Sequence, residues 1–238
     1  MKVQLFIPCT IDQFMPELGF KMIRVLERAG CSVTYEPRQT CCGKFFYLSG
    51  HQQITEKTIA KFVDLFFLGG PVVSPSTSCV QFIIEKIYGL TSSNIVKPSA
   101  RKISENIFDI TNFLVDVVKF TDLGSEFNAS AVLIDDAAAL NGAQERNTTY
   151  ALLKNVRGLD LMPLPVPFRY YSLDPVFAMH QTELVNERDN RLLEAIGRIN
   201  GVEKIIFTEP EHLLHFKSLF DKINAPYEAI HILDVLAA

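Results

Sequence analysis

An α/β fold built from two similar halves, each around a mostly parallel sheet, is what this 238-residue chain predicts. Three observations carry that prediction. Short apolar runs of strand length alternate with stretches whose apolar residues recur at helical spacing, which is the pattern of layered α/β domains. The succession repeats at an offset of about 125 residues, the mark of a duplicated unit with pseudo-twofold internal repetition. Apolar residues make up 48% and charged residues 21%, enough to fill a core in each half.

Val3–Ile7 reads as a buried opening strand. Leu18, Met22, Val25, Leu26 and Ala29 share one helix face, and Gly30 stands where that helix stops. Ser32–Tyr35 is the second strand, broken by Pro37. Ile59, Phe62, Val63, Phe66 and Phe67 mark the next helix, which Gly69-Gly70-Pro71 ends before the short strand Val72-Val73. A turn, SPSTSC, carries Cys79 to the helical run Val80, Ile83, Ile84 and Ile87. In the second half Ala131–Ile134 is the opening strand, and Tyr150, Leu153 and Val156 form a helix face ended by Gly158. Leu159–Leu164 is the second strand, again followed by proline. Leu192, Ile196 and Ile199 mark a helix, and Lys204–Phe207 the next strand. The closing stretches Ile107–Leu114 and Ala229–Leu236 correspond. The expected division is into residues 1–125 and 126–238.

Charge excludes one class of partner. The 23 basic and 27 acidic residues give a net charge of −4 and form no basic stripe, so nucleic acid is not the expected partner. The apolar run in MKVQLFIPCT is cut short by Pro8, too early for a secretory signal, and no run reaches the ~18 apolar residues of a membrane span. A cytoplasmic protein without a membrane span is expected. No GxGxxG, GxxxxGK or GxSxG stretch occurs, so neither dinucleotide hydride transfer nor serine hydrolysis is supported.

Cysteine is where the chemistry concentrates. The five cysteines, Cys9, Cys31, Cys41, Cys42 and Cys79, all lie in the first 79 residues. Their odd number, in a chain with no export signal, argues against a disulfide framework. Ligands of parallel sheets sit at the carboxyl ends of strands. Cys9 follows the first strand, Cys41 and Cys42 lie beyond the second and Cys79 beyond the third, so three strand ends can bring four thiols together. Adjacent Cα atoms are only ~3.8 Å apart, so a Cys41–Cys42 disulfide would be strained. Two thiolates reaching different atoms of a multi-iron cluster avoid that strain. Gly43 would let the backbone turn tightly beside such a group. Zinc, which usually spaces its cysteines by two to four residues, and four unrelated buried cysteines are the alternatives. Cys31 lies in no motif and is expected in the core.

The CCG triplet has 31 residues between Cys9 and Cys41 and 35 between Gly43 and Cys79. It resembles the cysteine-rich (CCG) domain, which occurs twice in heterodisulfide reductase and in the iron–sulfur subunits of glycolate oxidase and lactate-utilisation systems. Through LFIPCTIDQF, QTCCGKFFYLSG, SPSTSCV and ITNFLVDVV, the chain most resembles the lactate-utilisation protein A family, nearly end to end. The resemblance implies an iron–sulfur cluster, of 4Fe-4S type, held by Cys9, Cys41, Cys42 and Cys79 with Gly43 beside it. Exposed thiolates and clusters oxidise, so protein handled in air can lose it. It implies an oxidoreductase subunit that transfers electrons during oxidation of a 2-hydroxy acid, L-lactate or glycolate, with other subunits as partners and no catalytic residue assigned here. Heterodisulfide reductase domains add a cysteine three positions after the last, where this chain has Phe82, so a five-cysteine site is not available.

The second half departs from that pattern. Asp135-Asp136-Ala137-Ala138-Ala139 stands where the family has His-Asp-Ser-Cys-His, and Pro167-Phe168-Arg169-Tyr170-Tyr171 where a second CCG belongs. His212 precedes Leu213-Leu214-His215 where a cysteine is expected. A paralogue that docks with partner subunits without carrying electrons is therefore the alternative function, beside a zinc protein using the same thiols. His212 and His215, at a predicted helix start, are candidate ligands, with capping or surface roles as the alternative. Asp135 and Asp136 are expected to cap or face water, and His51 to sit in a turn. Lys44 is placed to offset cluster charge, or else faces water. Phe168, Tyr170 and Tyr171 would fill the vacated space or line a pocket.

Overall fold

The computed structural model describes residues 1–135, 148–164 and 175–238. The chain divides into two compact units, residues 1–120 and 121–238. The first unit runs β1 (Lys2–Leu5), α1 (Cys9–Phe14), α2 (Pro16–Arg28), β2 (Ser32–Tyr35), α3 (Lys44–Leu48), α4 (Gln52–Phe66), β3 (Val72–Ser74), α5 (Thr77–Leu90), α6 (Lys97–Ser104), β4 (Ile107–Asp109) and α7 (Ile110–Asn112), which continues as a π-helical stretch, Phe113–Val118. The second runs β5 (Glu126–Ile134), α8 (Thr148–Leu153), β6 (Arg157–Met162), α9 (Pro175–His180), α10 (Thr182–Gly197), β7 (Lys204–Phe207), α11 (Pro210–Ile223), β8 (Glu228–His231) and α12 (Ile232–Leu236).

Among the described residues each unit holds a four-stranded, all-parallel sheet, in the order β2-β1-β3-β4 and β6-β5-β7-β8. The spatial order is the same in both, with the first strand inside and the second on its outer flank. The α/β class and the similarity of the halves are thus as predicted. Leu5 of β1 stands between Tyr35 of β2 and Val73 of β3. The chain leaves β1 toward one neighbour and later returns on its other side. That reversal is a topological switch point, and doubly wound sheets hold ligands beyond the carboxyl ends of the strands at such a point.

Packing fixes the core beside these strand ends. Phe6, fully buried just past β1, meets the rings of Phe62 and Phe66 edge-on at 5.0 and 5.9 Å. The same buried cluster contains Cys42, Cys79, Ile83 and Ile107. The apolar stripe of α2 buries Leu18, Met22, Val25 and Leu26 as its spacing predicts.

The structure moves several boundaries. β1 ends at Leu5 rather than Ile7, because the Ile7 N–H donates to the Gln39 side chain. Cys79 lies in the first turn of α5 rather than on a preceding turn, since Ser76 caps the helix and its Oγ accepts the Cys79 N–H at 3.3 Å. Gly158 does not stop a helix. It lies inside β6 with φ 79°, where a Cβ would sit 2.0 Å from Asn128 Oδ1. Strand β5 begins at Glu126, earlier than expected, and α1, α3 and α6 have too few residues for periodicity to announce them.

The closing elements correspond in chemistry as well as in place. Asp109 caps α7, accepting the Thr111 and Asn112 N–H groups at 3.0 Å each and the Thr111 hydroxyl at 2.7 Å. At the matching position His231 caps α12. Its Nδ1 accepts the Leu233 N–H at 3.2 Å while Asp234 accepts the His231 N–H at 2.7 Å. Asp109→Ala is expected to lower stability by about 2 kcal/mol, because it leaves buried N–H groups unpaired. Asp109→Asn, which keeps an acceptor, is expected to cost clearly less. Urea unfolding followed by circular dichroism checks both, and equal losses would show that the cap is not what Asp109 contributes.

Candidate metal centre

Gln39 prepares the site. Its Nε2 donates to the Leu5 carbonyl at 3.2 Å and its Oε1 accepts the Ile7 N–H at 2.8 Å. The side-chain amide thus continues the hydrogen-bond ladder of β1 where the strand has ended, and pins the loop after β2 onto it. Cys9, the first residue of α1, is thereby brought beside Cys41, with the two Sγ atoms 3.7 Å apart. Gly43 follows with φ 92°, a left-handed conformation that costs other residues roughly 1–2 kcal/mol, and starts α3. This turn aims the Gly43 N–H at Cys41 Sγ, 3.2 Å away, and sends Cys42 inward. There Cys42 Sγ meets Cys79 Sγ at 3.3 Å.

Lys44 does not simply face water. Its Nζ donates to Ser78 Oγ at 2.6 Å, tying the start of α3 to the start of α5. Ser78 Oγ lies 3.4 Å from Ser76 Oγ, the cap of α5. A positive side chain therefore sits at the positive end of a helix dipole, an arrangement that favours negative charge nearby.

The thiols respond to this setting. Hydrogen bonds from Cys42, then from Cys9 and the Gly43 N–H, with the Lys44 charge added, bring the Cys41 thiol down to about 3. Cys42 is pushed well above its ordinary value by its hydrogen bonds to Cys41 and Cys79 and by burial. The sulfur contacts run Cys9–Cys41–Cys42–Cys79, from an exposed end to a buried one.

Among the described residues no three His, Cys, Asp or Glu side chains are arranged to hold a metal ion. A single tetrahedral zinc with bonds of ~2.3 Å would need all four sulfurs mutually close. Four thiols are a donor set that both zinc and iron–sulfur clusters take. Ser74 Oγ, at the carboxyl end of β3, is buried and meets no hydrogen-bond partner among the described residues, as befits the edge of a site for a further group.

Cys31 is buried, and burial raises its thiol. Phe82 occupies the place of a fifth cysteine and packs against Tyr47, with ring centroids 5.6 Å apart. His51 precedes α4 and makes no side-chain cap. In the second unit Asp135 accepts the Thr208 hydroxyl at 3.0 Å. His215 Nε2 meets Asp189 Oδ2 at 2.5 Å, joining α11 to α10, and His212 is buried in α11. Asp136, Ala137, Ala138, Ala139, Pro167, Phe168, Arg169, Tyr170 and Tyr171 lie outside the described residues. Sequence reasoning missed Gln39, Ser76 and Ser78. Only Ser76 left a signal, the three-residue spacing of a helix cap ahead of Cys79. Among the described residues no helix is long and apolar enough to cross a membrane.

Comparison with known proteins bears on this geometry. Residues 3–83 match the family described as CCG, cysteine-rich domain, a span that holds Cys9, Cys41, Cys42 and Cys79. The chain is similar over its whole length to lactate utilization protein A from several bacteria. That of Bacillus pumilus is 27% identical over 236 residues, covering 99% of each chain. That of Geobacillus kaustophilus is 28% identical over 240 residues, covering 100% of this chain and 99% of the relative. That of Halalkalibacterium halodurans is 29% identical over 240 residues, covering 99% and 96%.

Proposed function

We propose that this chain, similar from end to end to lactate utilization protein A, is an iron–sulfur electron-transfer component of a 2-hydroxy acid oxidation system, with L-lactate as the acid. The observation that carries this reading is the row of four thiols drawn from three strand ends at the switch point of the first sheet. Cys9, Cys41, Cys42 and Cys79 would hold the cluster, of 4Fe-4S type, and Gly43 would give it room. A bound cluster supplies one-electron transfer. The chain's own part is to shape the setting. The Gly43 N–H, the Lys44 ammonium and the amino end of α5 offset the negative charge of the thiolates. The buried side of the site, around Cys42 and Cys79, keeps water out, and the exposed Cys9 end faces the electron donor or acceptor. Oxidation of the acid itself would fall to other subunits in the cytoplasm, in keeping with a sequence that holds no GxGxxG or GxxxxGK stretch.

Purification without oxygen, followed by iron and acid-labile sulfide analysis and electron-paramagnetic-resonance spectroscopy, tests the proposal. Iron and sulfide in equal amounts, with a cluster signal on reduction, are expected. Protein lacking iron after anaerobic handling and reconstitution would overturn it. A competing reading, a docking paralogue that carries no electrons, draws on the absence of cysteine from residues 80–238. Restored growth on lactate in a strain whose own protein of this type is deleted, when this chain is supplied, would end that reading.

A further inference from the structure

The outer and inner cysteine pairs differ in access more than in distance. Cys42 and Cys79 are the closer pair, at 3.3 Å, yet they are only 2% and 3% exposed. Cys9 is exposed and Cys41 half-buried, with 3.7 Å between their sulfurs. Redox-responsive cysteines combine solvent access with a neighbouring resolving thiol, and the outer pair has both. Cys42, although it touches Cys41, is a poor resolving partner, because a disulfide between adjacent residues is strained. The Gln39 bridge to Leu5 and Ile7 keeps the loop bearing Cys41 beside the helix that begins at Cys9.

We propose that Cys41 and Cys9 form a peroxide-responsive pair, in which Cys41 is oxidised and Cys9 resolves it, while Cys42 and Cys79 remain thiols. Cys41 sulfur attacks one oxygen of hydrogen peroxide, the O–O bond breaks, and a sulfenic acid and one water form. Cys9 sulfur then attacks Cys41 sulfur, the S–O bond breaks, and a disulfide and a second water form. Two thiols lose two electrons and two protons, and the peroxide takes up both. Under the cluster reading the disulfide withdraws two of the four ligands until a thiol reductant restores them. That consequence rests on the reading, but the reaction does not.

The test uses the full-length chain, reduced and freed of metal with a chelator, then treated with limiting hydrogen peroxide and mapped by differential alkylation and peptide mass spectrometry. The expected result is loss of two of the five thiols and a peptide linking Cys9 to Cys41. Cys9→Ser is expected to accumulate the Cys41 sulfenic acid, trapped by dimedone. Gln39→Ala is expected to form the link more slowly. A Cys42–Cys79 or Cys41–Cys42 link as main product, or thiols that do not react, would overturn the proposal. Iron analysis of the untreated protein separates the two ideas. Iron without the Cys9–Cys41 link would leave the cluster reading standing and this one refuted, and the link without iron would do the reverse.

Discussion

Cys42→Ser protein, purified without oxygen, is expected to retain iron at least about 100-fold more weakly than the unaltered chain, since even supporting residues of metal sites cost 10–100-fold when lost. Cys42 is the most telling of the four positions. It touches both Cys41 and Cys79 and is buried, so its removal breaks the row of sulfurs at its centre. A serine oxygen there is a neutral, hard donor at pH 7 and cannot replace a thiolate toward iron. Cys79→Ser should behave alike. Cys31→Ser should keep its full iron content, because Cys31 is buried just before β2, in no contact with the quartet that the structure records. Iron content, measured beside a urea unfolding curve for each variant, separates ligand loss from unfolding. Iron retained in Cys42→Ser with an unchanged unfolding curve would rule out the proposed ligand set.

Phe6→Ala is expected to cost the first unit about 3–5 kcal/mol, the usual loss for truncating a fully buried phenylalanine. Its ring lies edge-on to Phe62 and Phe66, and all three share a cluster with Cys42 and Cys79. A cavity there would loosen α4 beneath the cysteines as well as lower stability. Phe6→Leu, which refills most of the volume, is expected to recover more than half the loss. The urea midpoint reports the stability, and the rate of iron release to a chelator reports the site. A loss below about 1 kcal/mol for Phe6→Ala would mean that the ring is not integral to the core.

Periodicity announced the long elements. The stripe Leu18, Met22, Val25 and Leu26 and the run Lys204–Phe207 are found where their spacing places them. Short elements were less legible. Five or six residues, as in α1 and α3, span too few turns to show a period, and their starts are set by Pro8 and by the left-handed Gly43. Gly158 misled because a glycine after a helix pattern reads as a stop, while here it gives room to Asn128 on the neighbouring strand.

The α/β class, the duplication and the grouping of four cysteines by strand end were determined by the sequence, because periodicity, repetition and spacing are properties of the chain itself. The tertiary structure alone decided which thiols pair, which of them reach solvent, and how they are held. Cys9 meets Cys41, and Cys42 meets Cys79, only because Gln39 completes the ladder of β1 and Gly43 reverses the backbone between the two adjacent cysteines and α3. Lys44 finds Ser78 across 34 positions of chain. Contacts of that kind depend on hydrogen bonds and burial between distant segments, and no local pattern encodes them.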